Sequence, residues 1–320
     1  MKIMLANIDY RMHTTDEGDQ LQQGFQFAGW KLVGAGYENS CREVPRLLET
    51  YKPEIVMVHD KRDWDMRSGI CFNPRVGYSG LGALKTATAQ KGCVVKDAGS
   101  SIEYHKAFCE EIAADFVVTY YHDDAVLKLS PWLSKYRLVR TYHTVDAQTA
   151  ATISCSGPRR RALVSGAVSG TYPLRGMCFH NAKAIDCDVI KHPGYGNKGA
   201  FTPRYLQTLS RYRIHIATAS DYNFALRKII ESVAMGAAPV TNLPEWDVLP
   251  EIDGALVRIS SKATVADVKR AVDKAEADWN LEQRMVWAEK ARLWYDWKAM
   301  GLRLSEDILK CTLTQTCTKS

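Results

Sequence analysis

An alternation constrains this chain more than any other feature. Short apolar runs of strand length recur between segments of helical period, through both halves of the sequence. In the first half the strand-like runs are Ile3–Ile8, Ile55–Val58, Cys93–Val95, Phe116–Thr119 and Arg137–Arg140. Between them Gln20–Leu32, Val44–Tyr51 and Ser101–Ala114 read as helices. In the first of these, Leu21, Phe25, Ala28 and Leu32 share one face at helical spacing. The second half has strands at Ala162–Ser165, Val189–His192, Arg213–Ala217, Ala238–Thr241 and Leu256–Ile259, and a helix at Val265–Ala277. Strands that alternate with helices are joined by crossovers, and crossovers impose parallel sheets with helices on their faces. The expected class is α/β. Sheets of this kind take ligands at the C-terminal ends of their strands.

A chain of 320 residues has room for two such domains. Its 46% hydrophobic and 24% charged content suits globular cores and not global disorder. No apolar run has the length of a membrane-spanning helix, and the N-terminus reads as a first strand, not as a secretion signal. Nine scattered cysteines, without a C-x-x-C pair, argue against a zinc ribbon or a disulfide scaffold, and a reducing cytosol is the expected setting. The net charge of +6 suits a polyanionic partner such as nucleic acid. Cations at a diphosphate site plus ordinary solvated lysines account for it as well.

The richest local signal runs from Ser220 to Val240. A polar start is followed by a helical pattern in which Ala225, Ile229, Ile230, Val233 and Ala234 share a face. Ser220, Asp221 or Asn223 is expected to cap that helix, and Gly236 to end it. Glu231 sits mid-helix beside the apolar face, where an unpaired carboxylate is costly to bury. A helix N-terminus favours anions. Phosphate at the helix start and a hydroxyl-rich group at Glu231 are the expected ligands.

With these residues set out, the segment resembles the donor-binding motif of GT-B-fold glycosyltransferases. Glu231, Ala234, Gly236, Pro239 and Val240 match its pattern of a glutamate followed by Ala-x-Gly-x-Pro-Val. The subgroup it most resembles is related to spore-maturation glycosyltransferases, where a basic residue often stands three before the glutamate, here Lys228. Many retaining members carry a second glutamate eight positions earlier, and this chain has Asn223 there. The run Ser165-Gly-Ala-Val-Ser-Gly-Thr-Tyr-Pro-Leu-Arg175 is similar to the subgroup's glycine-rich loop, with Gly166 allowing close backbone approach and Arg175 able to grip phosphate. Lys191-His-Pro-Gly-Tyr-Gly196 falls where such proteins read the nucleotide base, which makes His192 a candidate.

The resemblance implies two Rossmann-like domains facing across a cleft, with a last helix crossing back to the first. On that basis residues 1–152 form an acceptor domain, 153–290 a nucleotide-sugar domain and 291–320 the returning helix and tail. Ala150–Pro158 is the expected linker, and Leu281–Ile308 reads as one or two helices. The implied activity is transfer of a sugar, with UDP-glucose a representative donor, to an acceptor hydroxyl. Glu231 would hold ribose, while Lys228, Arg175 and the N–H groups after Ser220 would neutralise the leaving diphosphate. No cofactor and no divalent metal is expected beyond the donor itself.

Acceptor activation needs a carboxylate or histidine near the attacking hydroxyl. Asp97 and His59, both at expected strand ends of the first half, are the candidates, with His122-Asp123-Asp124, His143 and Asp146 as further possibilities. Arg211 and Arg213 could touch diphosphate, although solvation at the sheet edge accounts for them too. The glycine-rich run Asn73–Ala87 is expected to be a long loop leading into a short helix. Asp63-Trp-Asp65 is a weak metal triplet, and Gly34-Ala-Gly36 lacks the third glycine of a dinucleotide fingerprint because Asn39 occupies its place. Arg62, Arg67 and Arg75, with Trp64 and Tyr78 nearby, would suit phosphate contacts and a flipped base in duplex DNA carrying hydroxymethylated pyrimidines. Other acceptors are a glycan, a protein or a small molecule. A non-catalytic protein that binds a nucleotide sugar or nucleic acid is the reading from another class.

Overall fold

A computed structural model describes residues 1–6, 17–34, 43–59, 80–96, 98–99, 102–192 and 201–316. The chain divides into two compact units. One comprises Met1–Tyr142 together with Trp297–Ser320, and the other His143–Asp296.

The first unit holds a six-stranded sheet. Its strands are β1 (Lys2–Ala6), β2 (Lys31–Gly34), β3 (Ile55–His59), β4 (Gln90–Val95), β5 (Phe116–Thr119) and β6 (Arg137–Arg140). They lie in the order β2-β1-β3-β4-β5-β6 and every pairing is parallel. Helices cover both faces of such a sheet, so its central strands are apolar without alternation. Ile3, Met4, Leu5, Val56, Met57, Val58, Val94 and Val117 are accordingly buried.

Strand β2 corrects the expectation of one helix over Gln20–Leu32. The helix is Glu17–Phe27, and Gly29, at φ +81°, turns the chain out of it. Leu32 then pairs with Met4 of β1. Leu32 keeps the helical period with Ala28, so the pattern runs through the turn that breaks the helix. Past β3, residues 81–86 form a short 3-10 helix, as the glycine-rich run predicts, while Asn73–Ser79 lies outside the described residues.

The helix Trp297–Thr316 packs against Glu17–Phe27 inside the first unit. Gly24 and Gly301 make the crossing close. A Cβ on Gly24 would come 2.7 Å from the Trp297 carbonyl oxygen, and one on Gly301 would collide with the Gly24 backbone. The Trp30 indole donates to Ser305 Oγ at 2.8 Å beside this seam. Gly301→Ala should therefore cost about 1–3 kcal/mol by overpacking. A urea midpoint equal to that of the parent would show that the helices part without cost.

The second unit holds a five-stranded parallel sheet in the order β11-β10-β9-β7-β8. Its strands are β7 (Arg160–Gly166), β8 (Asp188–Lys191), β9 (Tyr212–Ile216), β10 (Ala238–Thr241) and β11 (Val257–Arg258). Ala162, Val164, Ile214, Ile216, Ala238 and Val240 bury their side chains against helices Pro173–His180 and Val265–Ala277 through Leu174, Cys178, Val268 and Val272. Thr264 and Asp267 close a reciprocal capping box on the latter helix.

Part of the expected linker is helical. Ala147–Thr152 forms a short helix capped by the Asp146 carboxylate, which accepts from Thr149 N at 3.0 Å. The C-terminal aromatic segment is two helices, Leu281–Trp294 and Trp297–Thr316. Val145 N donates to the Tyr295 carbonyl at the break between them, within the second unit. Among the described residues no helix is long and apolar enough to cross a membrane.

Candidate functional site

In the second sheet β8 lies on one side of β7 and β9 on the other. The two crossovers diverge at the C-terminal end of β7, the switch point where parallel sheets open a crevice for ligands. Gly166 is the last residue of β7 and has φ +117°. A Cβ at this position would come 2.8 Å from Lys228 Cε and 3.2 Å from Arg175 Nη1. Glycine is thus what lets two cations stand directly against the strand end.

Arg175 lies in the first turn of the helix Pro173–His180 and is 2% exposed. Its guanidinium is 4.0 Å from the centre of the Tyr172 ring. Nη1 donates to the Ala167 carbonyl at 3.0 Å, Nε to Thr218 Oγ1 at 3.2 Å and Nη2 to the Thr218 carbonyl at 3.3 Å. The arginine therefore braces the loop after β7 against the loop after β9. These three acceptors are neutral oxygens. Asp221 N adds a second tie between the loops, donating to the Thr171 carbonyl at 2.8 Å.

The helix carrying Glu231 starts later than its polar prelude predicts. It spans Arg227–Ala234, with Leu226 at the N-cap and no side chain capping it. The expectation that Ser220, Asp221 or Asn223 caps it is overturned. Ser220 is buried and its hydroxyl accepts from Phe224 N at 3.3 Å, closing a turn over residues 220–224. Asn223 takes a left-handed backbone, φ +60°. Asparagine tolerates that region better than glutamate, a local reason for the departure at this position. Gly236 does end the segment in the left-handed conformation, φ +72°.

Glu231 is 5% exposed, and Arg227, one turn earlier, meets its Oε1 with Nε at 3.1 Å. This pairing answers the cost of burying the carboxylate. Lys228 sits between them, its ammonium 4.6 Å from the centre of the Tyr205 ring. Burial lowers the Lys228 pKa to about 8, with Glu231 opposing the fall and Arg175 and Arg227 adding to it. His192, just past β8, is lowered by burial and then by the Lys228 and Arg175 charges. Gly166, Arg175, His192, Lys228 and Glu231 thus share one electrostatic neighbourhood. Buried Arg175, half-buried Lys228, a glycine edge and the uncapped N-terminus of an eight-residue helix together suit a diphosphate.

Other candidates have structural employment. His122 accepts from Asp124 N through Nδ1 at 3.2 Å and caps the helix Asp123–Leu129. Arg213 pairs with Glu276 and lies over the Trp279 ring. Asp97 lies outside the described residues, as do Arg62, Asp63, Trp64, Asp65, Arg67, Arg75 and Tyr78. His59 ends β3, but its side chain is also outside them. Among the described residues no three His, Cys, Asp or Glu side chains gather as a metal site. Sequence reasoning missed Arg227, Tyr205, Thr218 and His215. Only Arg227 carried a readable signal, its i,i+4 spacing to Glu231.

No family model matches the chain, and no curated protein matches it. Solved structures do. Sucrose-phosphate synthase from Thermosynechococcus elongatus aligns over 98% of this chain and 100% of its own, at TM-score 0.56 and 11% identity. A glycosyltransferase from Rickettsia africae aligns over 97% and 98%, at TM-score 0.54 and 12% identity. The HepE protein of Anabaena, solved in complex with UDP, aligns over 97% and 100%, at TM-score 0.53 and 8% identity. The fold is GT-B. Within the GT-B chain, the sheet that contains β7 has the same 2-1-3-4-5 strand order as the first five strands of the other sheet.

Proposed function

We propose that the chain is a glycosyltransferase that moves a sugar from a nucleotide-sugar donor, a UDP-sugar, to an acceptor hydroxyl. The observation that carries this reading is the convergence of Lys228 and Arg175 on Gly166 at the switch point of the second sheet. In the transfer, the bond from the sugar's anomeric carbon to the diphosphate oxygen breaks, and its electron pair leaves on UDP. The acceptor oxygen bonds the same carbon and gives up its proton. Negative charge grows on the diphosphate in the transition state, and fixed cations there lower the barrier. Lys228, Arg175 and the first N–H groups of the helix Arg227–Ala234 are assigned to that charge. Glu231, oriented by Arg227, is assigned to the ribose hydroxyls, and His192 to the base end of the nucleotide. Asp97 or His59 is assigned to the acceptor proton. The UDP held by the Anabaena protein of the same fold supports the choice of donor.

The acceptor we propose is the hydroxymethyl group of a modified pyrimidine in duplex DNA, supported by the net charge of +6 and by Arg62, Arg67 and Arg75. The test is incubation with a panel of nucleotide sugars and hydroxymethylated duplex DNA, then digestion and mass analysis of the nucleosides. A hexose-sized gain, absent with Glu231→Ala, is the expected result. No gain with donor binding intact would exclude the DNA acceptor and leave glycans, proteins and small molecules. Asn223, in place of a glutamate, favours one other reading, a GT-B protein that binds a nucleotide sugar without turnover. Binding with neither transfer nor donor hydrolysis would establish it.

A further inference from the structure

Behind Lys228 runs a chain of buried polar groups that the donor reading does not use. Ser165 Oγ lies 2.7 Å from Tyr205 Oη and 2.9 Å from His215 Nε2. His215 Nδ1 lies 2.5 Å from Ser232 Oγ, and Ser232 Oγ donates to the Lys228 carbonyl at 2.5 Å. Lys228 Nζ lies 3.5 Å from Tyr205 Oη. The contacts close into a ring that begins and ends on Lys228. Its members come from β7, β9, the helix Phe201–Leu209 and the helix Arg227–Ala234. Ser165, Tyr205, His215 and Ser232 are all buried.

The directions of these bonds follow from proton counting. A carbonyl only accepts, so the single Ser232 proton is spent on Lys228. His215 must then donate from Nδ1. Burial, with Lys228 and Arg175 nearby, keeps this imidazole neutral, so Nε2 is an acceptor. Ser165 donates to Nε2, which makes it an acceptor toward Tyr205. Tyr205 has spent its own proton and turns a lone pair toward the Lys228 ammonium. Both ends rest on Lys228, whose carbonyl only accepts and whose ammonium only donates, so the ring has a single direction.

We propose that Tyr205, held by Ser165 and the Nδ1–H tautomer of His215, is a positioning residue that fixes the Lys228 ammonium for the donor diphosphate. The proposal rests on the donor site assigned above. The groups facing Lys228 are Glu231 and Arg227 on its own helix, Arg175 on the helix Pro173–His180, His192 past β8, His215 on β9 and Tyr205 itself. Among the described residues, Glu231 and the Tyr205 lone pair and ring face favour the charged lysine. Removing the hydroxyl therefore weakens the ammonium and leaves the aromatic packing in place.

The experiment is a nitrogen-15 NMR titration of Lys228 and His215 in the unliganded full chain, paired with UDP binding measured from pH 6 to 10. His215 should carry its proton on Nδ1 at neutral pH. In Tyr205→Phe the Lys228 midpoint should fall, and the alkaline loss of UDP affinity should move with it; a shift of one pH unit corresponds to about tenfold weaker binding on that limb. Ser165→Ala serves as a second variant, because it lets the Tyr205 proton turn toward Nζ and lowers the midpoint in the same way. An unmoved midpoint in both folded variants, or a proton on Nε2, would overturn the ring. A shifted midpoint with UDP affinity flat across pH would retain the ring and overturn its role at a donor site.

Discussion

Lys228→Ala should reduce sugar transfer by about 10²–10³-fold, the loss seen when one fixed group stabilising transition-state charge is removed. Lys228 reaches the end of β7, where only a glycine could admit its stem. The other cation at that edge, Arg175, already donates to three neutral oxygens and cannot swing over to replace it. The same substitution should not destabilise the fold at neutral pH. Burial and two arginines hold the Lys228 pKa near 8, below its ordinary 10.5, so the folded state bears a cost of about 3 kcal/mol for the charge. The sign follows. The folded pKa is depressed, so the cost is present in full below pH 8 and disappears as pH rises toward 10.5. The alanine variant should match or exceed the parent's stability at pH 7, and lose that advantage by about pH 10.5 as the parent lysine discharges. Chemical denaturation at the two pH values, beside a transfer assay, checks both halves. A variant that loses activity together with stability at pH 7 would mark Lys228 as a structural residue.

Arg175→Leu should have the largest effect on stability. The guanidinium joins the loops after β7 and β9, and leucine leaves the Ala167 carbonyl, the Thr218 carbonyl and the Thr218 hydroxyl to find other partners. Leaving buried polar groups unsatisfied costs about 1–3 kcal/mol each, and relief from burying a charge returns part of it. A net loss of about 3–5 kcal/mol would lower the melting temperature by roughly 10 °C in a unit of this size. Donor binding should fall as well, because Arg175 Nη1 and Lys228 share the same strand end. Arg175→Lys should rescue little, since an ammonium cannot reach three acceptors in a planar fork. Melting curves of both variants decide this, and a leucine variant within a degree of the parent would remove the bracing role.

The sheets were legible because strands buried on two faces need continuous apolar runs, as Val56-Met-Val58 and Val117-Val118 show. Strand β2 was hidden because Leu32 continues a helical spacing across Gly29. The start of the Glu231 helix was misplaced for a related reason. Serine, aspartate and asparagine serve helix caps and tight turns equally, and here Ser220 and Asn223 serve a turn. Gly166 with Arg175, and Lys228 with Glu231, stood out in the sequence through two short motifs, each local in the chain. Tyr205, His215 and Ser165 did not, since hydrogen bonds bridging 40 and 50 residues leave no local period to read.

The interrupted first unit has a consequence for synthesis. Its chain leaves at Tyr142 and returns only at Trp297, after the whole second unit has been made. The Trp30 indole waits 275 residues for Ser305. At translation rates of about 5–20 residues per second, that is roughly 15–55 seconds on the ribosome. During this interval the contiguous second unit can complete itself, while the earlier-made unit exposes the Gly24 seam to chaperones and proteases. The order of maturation thus runs against the order of translation, and a stop codon before Trp297 would strand the portion of the protein that was made first.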